Sequence, residues 1–205
     1  MPRTTKVIIK PRKEPSQSRS QRTVEIILQA ATRVLAKESL AGFNTNRVAE
    51  VAGISVGSLY QYFPNKDALV TALIKAEHES LTEQFESLAD QLKGADAVTT
   101  LKAIAHLTVK QQFAKPLLAA ALDHEEARLP LHAELEPAHN ALMHSIAKLA
   151  KPHYPHLDAV ALKDCMTIAQ ALVESEAASS KDAPSDLEGR VFKALFGYLG
   201  KPSTD

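Results

Sequence analysis

Apolar residues recur every three or four positions along most of this chain. In the first such stretch they are Val24, Ile27, Leu28, Ala31, Val34 and Leu35. That spacing traces one face of a helix. It predicts a helix from Ser18 or Ser20, with a serine as N-cap, to about Ser39, where "AGFN" turns the chain. Asn44 or Thr45 caps a second, shorter helix whose inner face is Val48, Val51 and Ala52, and Gly53 suits its C′ position. Ser55 caps a short third helix, which Phe63-Pro64 closes because a residue before proline is pushed out of the α region. Asn65 caps a long fourth helix reaching about Leu92, before Gly94. Helical periodicity continues at about 96–113, 116–127, 131–150, 157–179 and 185–199. The breaks are Lys115-Pro116, Leu129-Pro130, Lys151-Pro152, Tyr154-Pro155 and Ala183-Pro184. No segment alternates like a strand, so the fold class is all-α.

Composition adds little to that picture, but charge divides it. The chain is 45% hydrophobic and 23% charged, with a formal net charge of zero. Residues 1–67 carry 11 Lys and Arg against 5 Asp and Glu, a balance of +6, and the remaining 138 residues are at −6. A basic end of this kind suits a polyanion. Residues 1–17, rich in Pro, Ser, Lys and Arg, read as a disordered basic arm. The single cysteine, Cys165, excludes an internal disulfide framework and points to a reducing compartment. The longest apolar run, Leu117 to Leu122, falls far short of the roughly 18 residues that span a bilayer. The opening "MPRTTKVIIKPRK" does not read as a secretory signal. These features imply a cytoplasmic protein with a basic arm at 1–17, a three-helix head at 18–66 and an acidic helical body at 67–205.

Two helices joined by a tight glycine-containing turn form a helix-turn-helix. On the short third helix, Leu59 and Phe63 are four residues apart and face inward. Ser55, Val56, Ser58, Tyr60, Gln61 and Tyr62 are left on or around the outer surface. Hydroxyls, a tyrosine pair and a nearby lysine suit phosphate contacts. Gly57 costs roughly 1 kcal/mol inside a helix, which makes sense if another backbone must approach there.

The stretch "TNRVAEVAGISVGSLYQYFPNKDAL", Thr45 to Leu69, resembles the DNA-binding signature of the tetracycline-repressor (TetR) family of bacterial transcription regulators. With the first helix, "RTVEIILQAATRVLA", the resemblance covers about residues 20–70. It departs from the family pattern at Ser39 and Leu40, where Gly and an aromatic are common, and at Asn44, where Ser or Thr is common. Altered loop geometry is expected there. The resemblance implies that Thr45, Ser55, Tyr60, Tyr62 and Lys66 contact phosphates, and that Asn46, Val56, Gly57, Ser58 and Gln61 face base edges. Arg47 could serve either purpose. Asn46 and Gln61 have the amides that read adenine bidentately, and Val56 can touch a thymine methyl.

For the body, the resemblance implies dimerisation and a small-molecule effector. Leu157, Val160, Ala161, Cys165, Ile168, Ala169, Leu172 and Val173 line one helical face, and Leu187, Val191, Leu195, Phe196 and Leu199 line another. Such stripes serve either a monomer core or a dimer interface. For that interface the candidates are Leu157, Val160, Ala161, Ile168, Leu172, Leu187, Val191, Leu195 and Leu199. An effector pocket could draw on Leu81, Phe85, Ile104, Phe113, Leu117, Leu118, Leu135, His139, Leu142, Met143 and Ile146, which a plain core would also contain. His124, His132, His139 and His144, with Asp123, Glu125 and Glu126, match no compact zinc motif, so neither metal nor cofactor is expected. An all-helical enzyme built on this cluster would lack a paired nucleophile and base, and no catalytic residue is expected. The reading that results is a homodimeric regulator of a palindromic DNA operator, released by an effector. An activator or an effector-independent regulator is the alternative.

Overall fold

The computed structural model describes residues 18–203, so the expected basic arm lies outside the described residues. Nine helices form among them: α1 (Ser18–Gly42), α2 (Thr45–Ala52), α3 (Val56–Tyr62), α4 (Lys66–Gln91), α5 (Ala97–Ala114), α6 (Pro116–Arg128), α7 (His132–Ala150), α8 (Ala159–Ala177) and α9 (Leu187–Leu199). The fold is all-α, and no strand occurs among the described residues. No helix among them is long and apolar enough to cross a membrane.

The capping residues explain where the early helices start. Asn44 Oδ1 accepts the Arg47 amide at 2.9 Å, Ser55 Oγ accepts the Ser58 amide at 3.0 Å, and Asn65 Oδ1 accepts the Ala68 amide at 2.8 Å. Each satisfies an amide that the first turn leaves without a helical partner. Gly53 ends α2 in the left-handed region at φ 67°, which glycine enters without steric cost. Phe63, before Pro64, takes the extended conformation that ends α3. The helical hydrogen-bond pattern of α1 carries on to Gly42, but Ser39 interrupts it at φ 57° and ψ −173°. The chain therefore kinks at Ser39, the first departure from the family pattern.

The described chain divides into two compact units. The first holds residues up to Glu77 together with Leu117–Leu135, and the second holds His78–Pro116 and residues from Glu136 onward. The first unit is thus more than a three-helix head. Its core joins Ile27, Ala31 and Leu35 of α1, Val48 of α2, Leu59 and Phe63 around α3, and Leu69, Val70 and Leu73 of α4 with Leu118, Ala121 and Leu122 of α6. Leu129, Leu131 and Leu135 complete it. The division within α7 falls beside Pro137, which sits inside that helix and cannot donate a backbone hydrogen bond.

The second unit packs Phe85 of α4, Leu101, Ile104, Ala105 and Val109 of α5, Leu142, Ile146 and Leu149 of α7, and Leu162, Cys165, Ala169 and Val173 of α8 against Leu187, Val191 and Leu195 of α9. Most of the two apolar stripes read from the sequence is used here, inside the unit. Leu157, Leu187, Val191 and Leu195 are buried, whereas Ala161, Ile168, Leu172 and Leu199 are half-buried. Val160 points away from this core and is 67% exposed.

Candidate nucleic-acid interface

The α2–α3 pair presents a firmly built surface. Leu59 and Phe63 are buried in the first unit's core and set the rotation of α3. Ser55, Gly57, Tyr60 and Gln61 are then exposed, as is Asn46 on α2. Tyr60 is 39% exposed, a large aromatic left at the surface. Its hydroxyl shares a hydrogen bond with Thr45 Oγ1 at 3.0 Å, and Thr45 itself is buried. Ser58 is half-buried, and its hydroxyl shares a 2.8 Å hydrogen bond with Ser55 Oγ.

Two residues sit deeper than the sequence suggested. Val56 and Tyr62 are half-buried and pack against the first unit's core. Val56, Leu59, Tyr62 and Phe63 follow steps of three, three and one, so they share the inner side of a two-turn helix. Ser20 Oγ donates to Tyr62 Oη at 3.4 Å. Lys66 is also half-buried, with Nζ 5.4 Å from the centre of the Phe43 ring, a cation–π distance.

Gly57 has no internal reason to be glycine. A Cβ built there would meet nothing nearer than Ser55 Oγ at 3.8 Å. Neither packing nor a left-handed backbone demands it, so the open space lies on the outer side of α3.

Arg47 is occupied within the unit. Its Nε donates to Glu38 Oε1 at 2.8 Å, and its Nη1 donates to Glu50 Oε2 at 2.8 Å. Hydrogen bonding from Arg47 holds the Glu38 carboxyl below the usual carboxylate range, and the two acids hold the guanidinium still more firmly protonated. The pairing with Glu50 is an i,i+3 contact within α2. The pairing with Glu38 joins residues nine apart, from α1 to α2, and has no helical-spacing signature.

A second ion cluster adds to an i,i+3 pair a long-range partner that has no sequence signature. Arg128, at the end of α6, donates from Nη2 to Asp67 Oδ1 at 2.6 Å, in the first turn of α4. The same guanidinium donates from Nε and Nη2 to Glu125 Oε2 at 2.9 and 2.5 Å. Glu125 is 5% exposed.

The effector-pocket candidates are divided between the two units. Leu118 and Leu135 are buried in the first unit's core, and Leu117 is exposed at the start of α6. In the second unit Phe85, Ile104, Leu142 and Ile146 are buried, Leu81, Phe113 and Met143 pack half-buried against them, and His139 is exposed. A cavity of about 20 Å³ remains there, lined by Ile104, Thr108, Ile146, Leu162, Cys165 and Met166 among others. That is room for about one water molecule. A wider groove of about 210 Å³ lies among Tyr154, His156, Leu157, Tyr198 and Lys201. His124 and His144 are exposed like His139, and no group of His, Cys, Asp and Glu that could hold a metal occurs among the described residues. The Cys165 thiol is buried and pushed up to about 11 by that burial, so it is a poor nucleophile at neutral pH.

Residues 27–73 match the family described as bacterial regulatory proteins, tetR family. The nucleoid occlusion factor SlmA of Haemophilus ducreyi is 27% identical over 106 residues, which cover 52% of this chain and 50% of that protein. An uncharacterized HTH-type transcriptional regulator of Mycobacterium tuberculosis is 32% identical over 95 residues, covering 43% of this chain and 47% of its own. The chain thus spans about half the length of the curated relatives it matches. Among solved structures, the fatty acid degradation regulator FadR from Bacillus halodurans superimposes with a TM-score of 0.67 at 20% identity. That match covers 86% of this chain and 97% of the other, and it is a likeness of fold.

Proposed function

We propose, on the premise that this chain belongs to the tetR family of bacterial regulatory proteins, that it binds duplex DNA as a homodimer and represses transcription until a small-molecule effector releases it. One observation carries the DNA-binding part. Burial of Leu59 and Phe63 turns the Gly57, Tyr60 and Gln61 side of α3 outward, next to exposed Asn46. Asn46 and Gln61 offer amides to base edges, and Gly57 lets the backbone approach the groove. Tyr60 and Ser55 offer hydroxyls to the flanking phosphates, and Lys66 supplies charge at the N-terminus of α4.

The paired unit is a second copy of the chain. With Leu187, Val191 and Leu195 occupied inside the second unit, the apolar surface left for a partner copy is the outward side of α8 and α9, where Val160 and Tyr198 are exposed and Ile168 and Leu172 half-exposed. Two copies of α3 in successive major grooves stand about 34–36 Å apart, so the operator is palindromic with half-sites one helical turn apart.

The effector is small and largely apolar. The apolar lining of the second unit's cavity supports this class, and its size requires side chains such as Met166 to move as the ligand enters.

Selection of bound duplexes from a randomised pool by the full chain tests the reading. A two-fold symmetric consensus with half-sites about ten base pairs apart is the expected result. Recovery of no sequence, or of a single unrepeated half-site, would contradict it. Footprints overlying promoters support repression, whereas footprints upstream of them support the activator alternative.

A further inference from the structure

We propose that Arg128 is a positioning residue for DNA binding: by bridging buried Glu125 on α6 and Asp67 on α4, it fixes the N-terminal turn of α4 beside α3. This rests on the DNA-binding reading of α3 and the start of α4. Arg128 is 61 positions from Asp67 in sequence, yet its Nη2 lies 2.6 Å from Asp67 Oδ1. Asp67 directly follows Lys66, the cation at the head of α4. Both sides of the bridge belong to the first unit.

Apolar contacts already hold α6 in that unit through Leu118, Ala121 and Leu122. The ion cluster is therefore not needed to attach the helix. What it supplies is direction. A guanidinium is planar, so with Nε and Nη2 both held on Glu125 Oε2 the direction of the remaining Nη2 bond to Asp67 Oδ1 is set. Glu125 is almost fully buried, and Arg128 accounts for both hydrogen bonds to its Oε2. A buried charge without a partner is costly, so Glu125 holds Arg128 in one place. Arg128 in turn holds Asp67. The restraint on the first turn of α4 thus comes from α6, a segment outside residues 27–73 that match the tetR family. Rotation at that turn would move Lys66 relative to Tyr60 and Gln61 on α3.

The sign of one substitution tests this. Asp67→Asn cuts only the α4 side of the bridge and leaves the Glu125–Arg128 bonds intact, so no buried carboxylate is orphaned. If Asp67 were merely a surface charge, its removal beside a polyanion would tighten DNA binding. Positioning predicts the opposite, a loss of about tenfold, the scale of one hydrogen bond to a charged group. The probe is a duplex selected from a randomised pool by the wild-type full chain, with far-UV circular dichroism recorded on each variant. Arg128→Lys keeps the charge but loses the fork, and it should weaken binding comparably. The double variant should be no weaker than Arg128→Lys alone, because that change already removes the bond to Asp67. Equal or tighter binding by a folded Asp67→Asn overturns the proposal, and so does full additivity in the double variant. If the wild type selects no duplex, the DNA-binding reading itself fails and this proposal with it. A wild type that binds, with variants indistinguishable from it, overturns the positioning role alone.

Discussion

Thr45 Oγ1 and Tyr60 Oη share a hydrogen bond 3.0 Å long, which ties the first residue of α2 to the middle of α3. Thr45 is only 9% exposed, so its hydroxyl is directed into this contact. Tyr60 is held at one angle on the surface by a residue from the preceding helix. Tyr60→Phe keeps the ring and removes the bond. It should cost about 0.5–1.5 kcal/mol of stability by chemical denaturation and weaken operator binding in a gel shift. Thr45→Val should weaken binding to a similar degree, and the double variant should add little. Additive losses would mean that the two hydroxyls act separately on DNA.

Gly57 separates stability from function. Alanine fits the space inside the molecule, since the nearest atom to a new Cβ is 3.8 Å away. Gly57→Ala should stabilise α3 by up to about 1 kcal/mol. It should also weaken DNA binding, because the methyl occupies the side on which the groove would approach. A variant both more stable and equally tight in binding would remove Gly57 from the interface.

Ser39 is the single non-glycine residue at positive φ among those described. Its φ of 57° and ψ of −173° lie close to a region that glycine almost alone occupies. Ser39→Gly should therefore raise stability, by about 1 kcal/mol, with little change in helix content. Denaturation midpoints measure it. A lower midpoint would show that the serine side chain stabilises the kink.

Cys165 should behave as a buried apolar residue. With its thiol pushed up to about 11 by burial, a disulfide reagent should react slowly with the native protein at neutral pH and fast after unfolding. The native value lies above the unfolded one, so the thiol's contribution is fully present below the ordinary thiol range and is lost as pH rises through about 11. The acid side runs the other way. Glu38 is held low by hydrogen bonding from Arg47, and Asp96 by the Thr99 amide at the start of α5. Their contributions are present above the ordinary carboxylate range and are lost as pH falls from that range through their lower native values. Thermal melts from pH 7 downward should show this loss, and Glu38→Gln should flatten part of it.

Much of this arrangement was legible because helices announce themselves locally. Asn44, Ser55 and Asn65 cap helices through atoms within three residues, and Gly53 and Pro64 end them by backbone geometry alone. The inward turn of Leu59 and Phe63 followed from a spacing of four. What the sequence could not supply were contacts between distant elements. The bridge from Arg128 to Asp67, the addition of α6 to the first unit and the grip of Glu38 on Arg47 depend on packing between elements. Val56 and Tyr62 sat deeper than expected because they lie three residues either side of Leu59 and share its inner side. The apolar stripes of α8 and α9 had two readings, and burial inside the second unit takes up Leu187, Val191 and Leu195.

The central claim is that the end of α3 and the start of α4 grip a DNA backbone. Its most direct test is the salt dependence of binding to the selected duplex, for the wild type and for Tyr60→Ala with Lys66→Ala. Wild-type affinity should fall steeply and linearly on a log–log scale, in proportion to the phosphates neutralised. The double variant, with unchanged helicity by circular dichroism, should bind at least tenfold more weakly and with a slope smaller by about one, for the lost lysine contact. Equal affinities with equal slopes, or a flat response in the wild type, would contradict the assignment.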